Sequence, residues 1–265
     1  MNNTLPVFVL IGSTLLLQGC GSSGSDASSS DPKMNISLPF YATAGDQEIR
    51  CSESISGLGN AAGGAGTDVT VSDFRVFIHD VQLITDQGLK LPVELDTTQT
   101  SQNADVVLLD FRDTADIDDL STEICPQTFS EKTVMNPGYN DTINGVATVD
   151  AAYPLSAIQF TLGVPFGLNH NDQADAVEPL RNPGLASGMA WNWQAGYKFA
   201  RFDVSPSGGI SRPLDDQWSS TKWNIHLGST GCSVSRDELV GGVEPKKCIA
   251  ENRPIITLPL EGHDL

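Results

Sequence analysis

Positive charge is scarce in this chain. Its 265 residues carry 15 Lys and Arg against 33 Asp and Glu, a formal net charge of -18 with no basic block to relieve it. That balance excludes nucleic acid as a natural partner and makes an anionic membrane surface repel the body of the protein. Beyond the first residues no apolar run approaches the length of a transmembrane helix. Helical periodicity with helix length and good caps is absent as well, which argues against a helical bundle. Catalytic signatures are missing too. There is no H-E-x-x-H, P-loop or dinucleotide fingerprint, and "GSTG" (Gly228 to Gly231) lacks the G-x-S-x-G spacing of a nucleophile elbow. An enzyme is therefore not expected. No C-x-x-C pair, the common spacing of a thiolate metal site, is present either.

What is there begins with "MNNTLPVFVLIGSTLLLQGC". The apolar run from Leu5 to Leu17 is too short to span a membrane and has the length of a secretory signal, and Leu17-Gln18-Gly19-Cys20 resembles a bacterial lipobox. The reading is a signal peptide over residues 1–19, a lipidated Cys20 with a Ser/Gly tether over residues 20–33, and a β-rich domain over residues 34–265. Its place would be the periplasmic side of the outer membrane or the cell surface, with membrane contact through the lipid alone. Four further cysteines, Cys51, Cys125, Cys232 and Cys248, form an even set that in an exported protein reads as two disulfides. Of the three pairings, Cys51 with Cys125 and Cys232 with Cys248 is preferred.

Strand signals dominate the body. "VTVSDFRVFIHDVQLI" (Val69 to Ile84) is β-branched, aromatic and apolar on both alternate faces, as a buried strand should be. "ADVVLLDF" (Ala104 to Phe111), "AIQFTLGVPF" (Ala157 to Phe166), "YKFARFDV" (Tyr197 to Val204) and "PIITLPL" (Pro254 to Leu260) read likewise, separated by Gly, Pro, Asn and Asp clusters. Helix is confined to short turns at Leu120 to Glu123 or Ser235 to Leu239. The expected fold is mainly β, an antiparallel, sandwich-like single domain with long loops. Two loops have calcium-like chemistry, the acidic run Asp110 to Asp119 and "LNHNDQAD" (Leu168 to Asp175). Neither has EF-hand spacing, and a solvated loop is the simpler expectation for each.

Histidine and tryptophan carry the rest. His79 lies in an apolar strand, His170 follows "VPFGLN" and His226 sits in "WNIHLGSTGC"; His263 is too near the carboxyl terminus to be informative. Neutral imidazole is a common copper and zinc ligand. "MAWNWQAGYKF" (Met189 to Phe199) holds two of the four tryptophans, and an extended backbone would send Met189, Trp191 and Trp193 to one face. Gly196 marks a bulge or a close approach of backbones. Trp218 and Trp223 read as packing residues, and Lys198 as a surface charge or the partner of a carboxylate.

Taken in order, "SDFRVFIHDVQLI", "VVLLDF", "IQFTLGVPFGLNH", "MAWNWQAGYKFARFD", "HLGSTGC" and the closing "NRPIITLPL" resemble the MbnP family of exported copper-binding proteins with a four-Cys motif, over about Met34 to Leu260. The resemblance implies a di-haem, MauG-like peroxidase partner that oxidises one tryptophan, Trp191 or Trp193, to kynurenine. It implies copper, as Cu(I), held by His79, His226 and His170 with the new aryl amine, and it supports two disulfides. The chemistry is reasonable, because indole offers only a donor N–H whereas kynurenine exposes an amine and a carbonyl. Read from the residues alone, a second class also fits: a surface lipoprotein binding module whose tryptophans form a platform for carbohydrate or protein, with calcium in the acidic loops.

Overall fold

The computed structural model describes residues 32–49, 53–58, 66–112, 140–149, 152–192, 195–212, 214–232 and 247–260. In chain order the strands are β1 (Lys33–Pro39), β2 (Thr43–Ala44), β3 (Gln47–Glu48), β4 (Ser54–Leu58), β5 (Thr67–Thr85), β6 (Lys90–Leu95), β7 (Val107–Asp110), β8 (Thr142–Thr148) and β9 (Leu155–Leu162). After the single turn α1 (Phe166–Asn169) come β10 (Ala200–Pro206), β11 (Ile210–Arg212), β12 (Asp215–Ser220), β13 (Trp223–Leu227) and β14 (Ile255–Pro259). The fold is mostly β with almost no helix, as the alternation and turn residues predict. Ten strands make one curled antiparallel sheet with the path β1-β8-β6-β5-β10-β13; β4, β7 and β9 also join β5, and β14 joins β9.

The 19-residue β5 organises this sheet. Along one edge it pairs with β10 and then β9, and along the other with β4, β7 and β6. Two bulges divide it. Asp203 and Val204 face Asp73 and Val71, leaving Ser72 extra, and a second irregularity falls between His79 and Gln82, where Asp80 takes φ 51°. Because side chains alternate, each extra residue swaps which parity faces the core. Val69 and Val71 lie in the main core; between the bulges Phe74, Val76 and Ile78 face it instead; after Asp80, Val81 and Leu83 return to it. The residues of opposite parity between the bulges, Asp73, Arg75, Phe77 and His79, are therefore turned to the other side, where Phe77 enters a second apolar cluster with Val106, Leu108, Leu180, Met189, Tyr197 and Phe199. The apolar character that the sequence shows on both faces thus comes from two cores sharing one strand.

Several expectations need adjustment. "AIQFTLGVPF" does not run as one strand: β9 ends at Leu162, Gly163 takes φ 119°, and α1 begins after Pro165. That helical turn was not foreseen, while the two expected at Leu120 to Glu123 and Ser235 to Leu239 lie outside the described residues. Trp223 does not serve as a packing residue, being 57% exposed on β13. Trp218 stacks under the Arg212 guanidinium, 4.1 Å from its ring centre. The signal region, Cys20, Cys51, Cys125, His263 and most of the acidic run also lie outside the described residues.

Candidate metal centre

Between β9 and β10 the chain makes a long excursion over the second core, and "MAWNWQAGYKF" closes it. Its expected course as a single extended strand is corrected here: it is a hairpin. Ala190 bridges Tyr197, Lys198 N donates to Met189 O (2.6 Å), Trp191 N to Gly196 O (3.1 Å) and Gly196 N to Asn192 O (2.7 Å). Two residues force the reversal. The Asn192 side chain accepts the Ala195 N–H, and Gly196 adopts φ 80° with its backbone so close to the Asn169 amide that a Cβ would fall 2.5 Å from it. The bend separates residues that a strand would align: Met189 is fully buried, whereas Trp191 is 41% exposed. Trp193 lies outside the described residues.

The Trp191 ring packs against the backbone of "HLGSTGC" at Gly228. A Cβ on Gly228 would meet Trp191 Cζ3 at 2.5 Å and the Tyr197 carbonyl at 2.8 Å, so only glycine admits the indole two residues beyond His226. Lys198 Nζ stands 6.0 Å from the ring centre and donates to Gly188 O (2.7 Å). Far from being a surface charge, Lys198 is buried.

Beneath this group lies a buried ion network that the sequence reading did not single out. Arg75 makes a forked pair with Asp73 (2.9 and 2.6 Å), Arg201 reaches both Asp73 (3.2 Å) and Asp203 (2.7 Å), and Asp203 accepts from His226 Nε2 (2.8 Å). Arg75 also donates to Ser187 O, and Arg201 to Gly188 O. A signal was present: "DFR" in β5 and "RFD" in β10 place opposite charges two residues apart in apolar strands, hence on one face. Burial pushes the Asp73 carboxyl up, but Arg75, Arg112 and Arg201 outweigh it and hold it below 3.8. Burial also lowers His226, with help from Lys198 and against the pull of Asp203, so the imidazole stays neutral.

His79 has a different setting. Its Nδ1 lies 2.9 Å from Gly163 O, which makes Nδ1 the N–H donor and leaves the Nε2 lone pair 3.5 Å from the exposed Asp80 carboxylate. Burial lowers its pKa more than Gly163 and Asp80 raise it. A neutral imidazole oriented by a carbonyl is a ligand in waiting. His79 and His226 are not neighbours, however. His79 stands four residues past Arg75, which faces Arg201, which faces His226. The two positions are therefore roughly 13 Å apart along the strands and roughly 10 Å apart across them.

His170 forms a third setting. "LNHNDQAD" is not simply a solvated loop: Asn169 and His170 are buried, with the Phe166 ring edge-on to the imidazole. His170 Nε2 lies 3.1 Å from the Asn169 amide and 3.7 Å from Cys248 Sγ, and Cys248 is bonded to Cys232 in the pairing expected. These are the only three His, Cys, Asp or Glu ligand atoms within 4.8 Å of one another among the described residues. No carboxylate trio suited to calcium occurs there: Asp110 is paired with Arg112 (2.8 Å), and Asp172 and Asp175 sit apart around a cavity they share with Asp105.

Comparison with known proteins agrees with the fold. The MbnP family model matches residues 33–264. Among solved structures, MbnP from Methylosinus trichosporium is similar, with 26% identity and a TM-score of 0.63 over 85% of this chain and 71% of that one. No curated protein matches.

Proposed function

The chain belongs to the MbnP family, which is linked to copper handling, and from that premise we propose that it is an exported, lipid-anchored copper-binding protein of the periplasm. Its site is completed when a di-haem, MauG-like partner oxidises Trp191 to kynurenine. The protein is the client in that step and carries no activity of its own. The observation that carries the reading is the seating of the Trp191 ring on Gly228, two residues past His226 in the chain, with Lys198 Nζ 6.0 Å from the ring centre.

The residues present fit such a site. Trp191 is 41% exposed and so within reach of an external oxidant, as a client side chain must be. Peroxide supplies both oxygens of the ring-opening step, and water then releases the formyl carbon as formate. The kynurenine so formed would be seated on the backbone two residues past His226, an imidazole that Asp203 orients and that burial keeps neutral. Copper would supply a nitrogen-loving, thiophilic cation to that donor set. His79 carries the same attributes at a distance, and would join only through a displacement of the hairpin or strand.

The test is a competitive Cu(I) titration of the protein before and after maturation by its di-haem partner. Matured protein should bind copper stoichiometrically, unmatured protein at least about tenfold more weakly, and matured His226→Ala should lose affinity while keeping the modified residue. Equal affinity before and after maturation contradicts the reading. A carbohydrate or protein platform draws on one observation, the exposed Trp223 and Ile225 of β13; it requires Trp223→Ala to abolish ligand capture with copper binding intact.

A further inference from the structure

The Cys232–Cys248 disulfide is set between two chain segments that hydrogen bonds also join. Thr230 and Ala250 exchange backbone hydrogen bonds (2.9 and 3.1 Å), Ile249 N donates to Gly231 O (3.1 Å), Ser229 Oγ to Glu251 O (2.8 Å) and Asn252 Nδ2 to Gly228 O (2.7 Å). Five hydrogen bonds thus hold the two chain segments together just beside the sulfurs. Against the bond stands His170, only 3% exposed and fixed by Phe166 and Asn169 with Nε2 toward Cys248 Sγ. Cys232 is partly exposed, so a thiolate can reach the disulfide from solvent through its Sγ.

We propose that reduction of this disulfide opens a second metal site, in which the Sγ atoms of Cys232 and Cys248 and Nε2 of His170 bind one thiophilic d¹⁰ cation, Cu(I) foremost. The geometry is close to that site already. With metal–sulfur bonds of about 2.3 Å and a metal–nitrogen bond of about 2.0 Å, a trigonal site has N···S edges of about 3.7 Å and an S···S edge of about 4 Å. The N···S distance is 3.7 Å in the oxidised protein, and all three ligand atoms fall within 4.8 Å. Only the sulfurs need to separate, while the paired backbone keeps them adjacent. The Nε2 lone pair, directed at the Asn169 amide in the oxidised form, turns to the metal.

The redox step balances with a dithiol as reductant. Two electrons and two protons pass from the dithiol to the cysteines; the Cys232–Cys248 bond breaks and a disulfide forms in the reductant. Metal binding then releases both thiol protons to solvent. The site is independent of the tryptophan chemistry proposed above, and it makes one face of the protein responsive to the thiol poise of its compartment.

The test uses the protein made without any di-haem partner, so that its indoles are intact and the outcome leaves the kynurenine reading untouched. The protein is reduced with a phosphine, freed of it without oxygen, and titrated with Co(II) for the sulfur-to-metal charge-transfer band and with Cu(I) against a chromophoric chelator. Reduced protein should show the band and bind one more Cu(I) than the oxidised form. Cys232→Ser/Cys248→Ser, which keeps Cys51 and Cys125, should show neither gain, and His170→Ala should keep the band but bind about tenfold more weakly. Equal binding by reduced protein and the double serine variant overturns the site, and unchanged affinity in His170→Ala overturns the imidazole's part. Loss of the β-sheet circular dichroism signal on reduction overturns it too, since the frame would then not hold the sulfurs.

Discussion

His79 and His226 are kept neutral mainly by burial, and that has a consequence for pH. Each has its pKa lowered from 6.5 in the fold, so below about pH 6.5 the unfolded chain takes up protons that the folded one refuses. Stability should therefore fall as pH drops through that value, and go on falling until the folded imidazoles titrate. Urea midpoints at about pH 7.5 and about pH 5.5 should show the loss in the parent and a smaller loss in His79→Gln. Gly228 offers a second check at this scale. In Gly228→Ala the new methyl collides with the Trp191 ring and the Tyr197 carbonyl, and a destabilisation of about 1–3 kcal/mol is expected, read by thermal melting, with slower oxidation of the displaced indole. The sequence marked His79, His170, His226 and Trp191 as unusual because each sits in an improbable neighbourhood. It could not show which of them meet, since that depends on how the hairpin folds over β13.

Elements were legible where alternation and turn residues agree. β5, β7, β9, β10 and β14 stand within a few residues of where the sequence places them, apart from the turn after Leu162 and the bridge at Tyr197. The bulges at Ser72 and near Asp80 were not, because an extra residue in an apolar strand leaves the pattern apolar on both faces. They matter, since they turn Asp73, Arg75 and His79 away from the main core. The network linking β5 to β10 predicts that Asp73→Asn, which leaves Arg75 and Arg201 short of a partner, costs about 3–5 kcal/mol in a denaturant titration. Gly196→Ala should be costly for another reason: its φ of 80° and the Asn169 amide at 2.5 Å leave no room for a Cβ. At least about 1–2 kcal/mol of backbone strain is expected in the same assay, with loss of the Tyr197 N–H bond to Asn169.

The whole molecule is a curled sheet with a main core on one side and, on the other, a smaller core roofed by a loop excursion. The β class followed from composition and turns, but the division into two cores did not, because it is made by long-range pairing along one strand. With a net charge of -18, the protein should meet the di-haem partner proposed above through a basic face of that partner, and the rate of tryptophan oxidation should fall as salt is raised. The central claim is that Trp191, seated on Gly228 two residues past His226, is the residue oxidised to complete a copper site. Tandem mass spectrometry of the tryptic peptide that ends at Lys198, from protein co-expressed with its di-haem partner, tests it most directly. The account predicts a gain of about 4 Da, one oxygen added and one carbon lost, on fragments that contain Trp191 and none on Trp193 alone. An unmodified peptide, or a gain confined to Trp193, would contradict it.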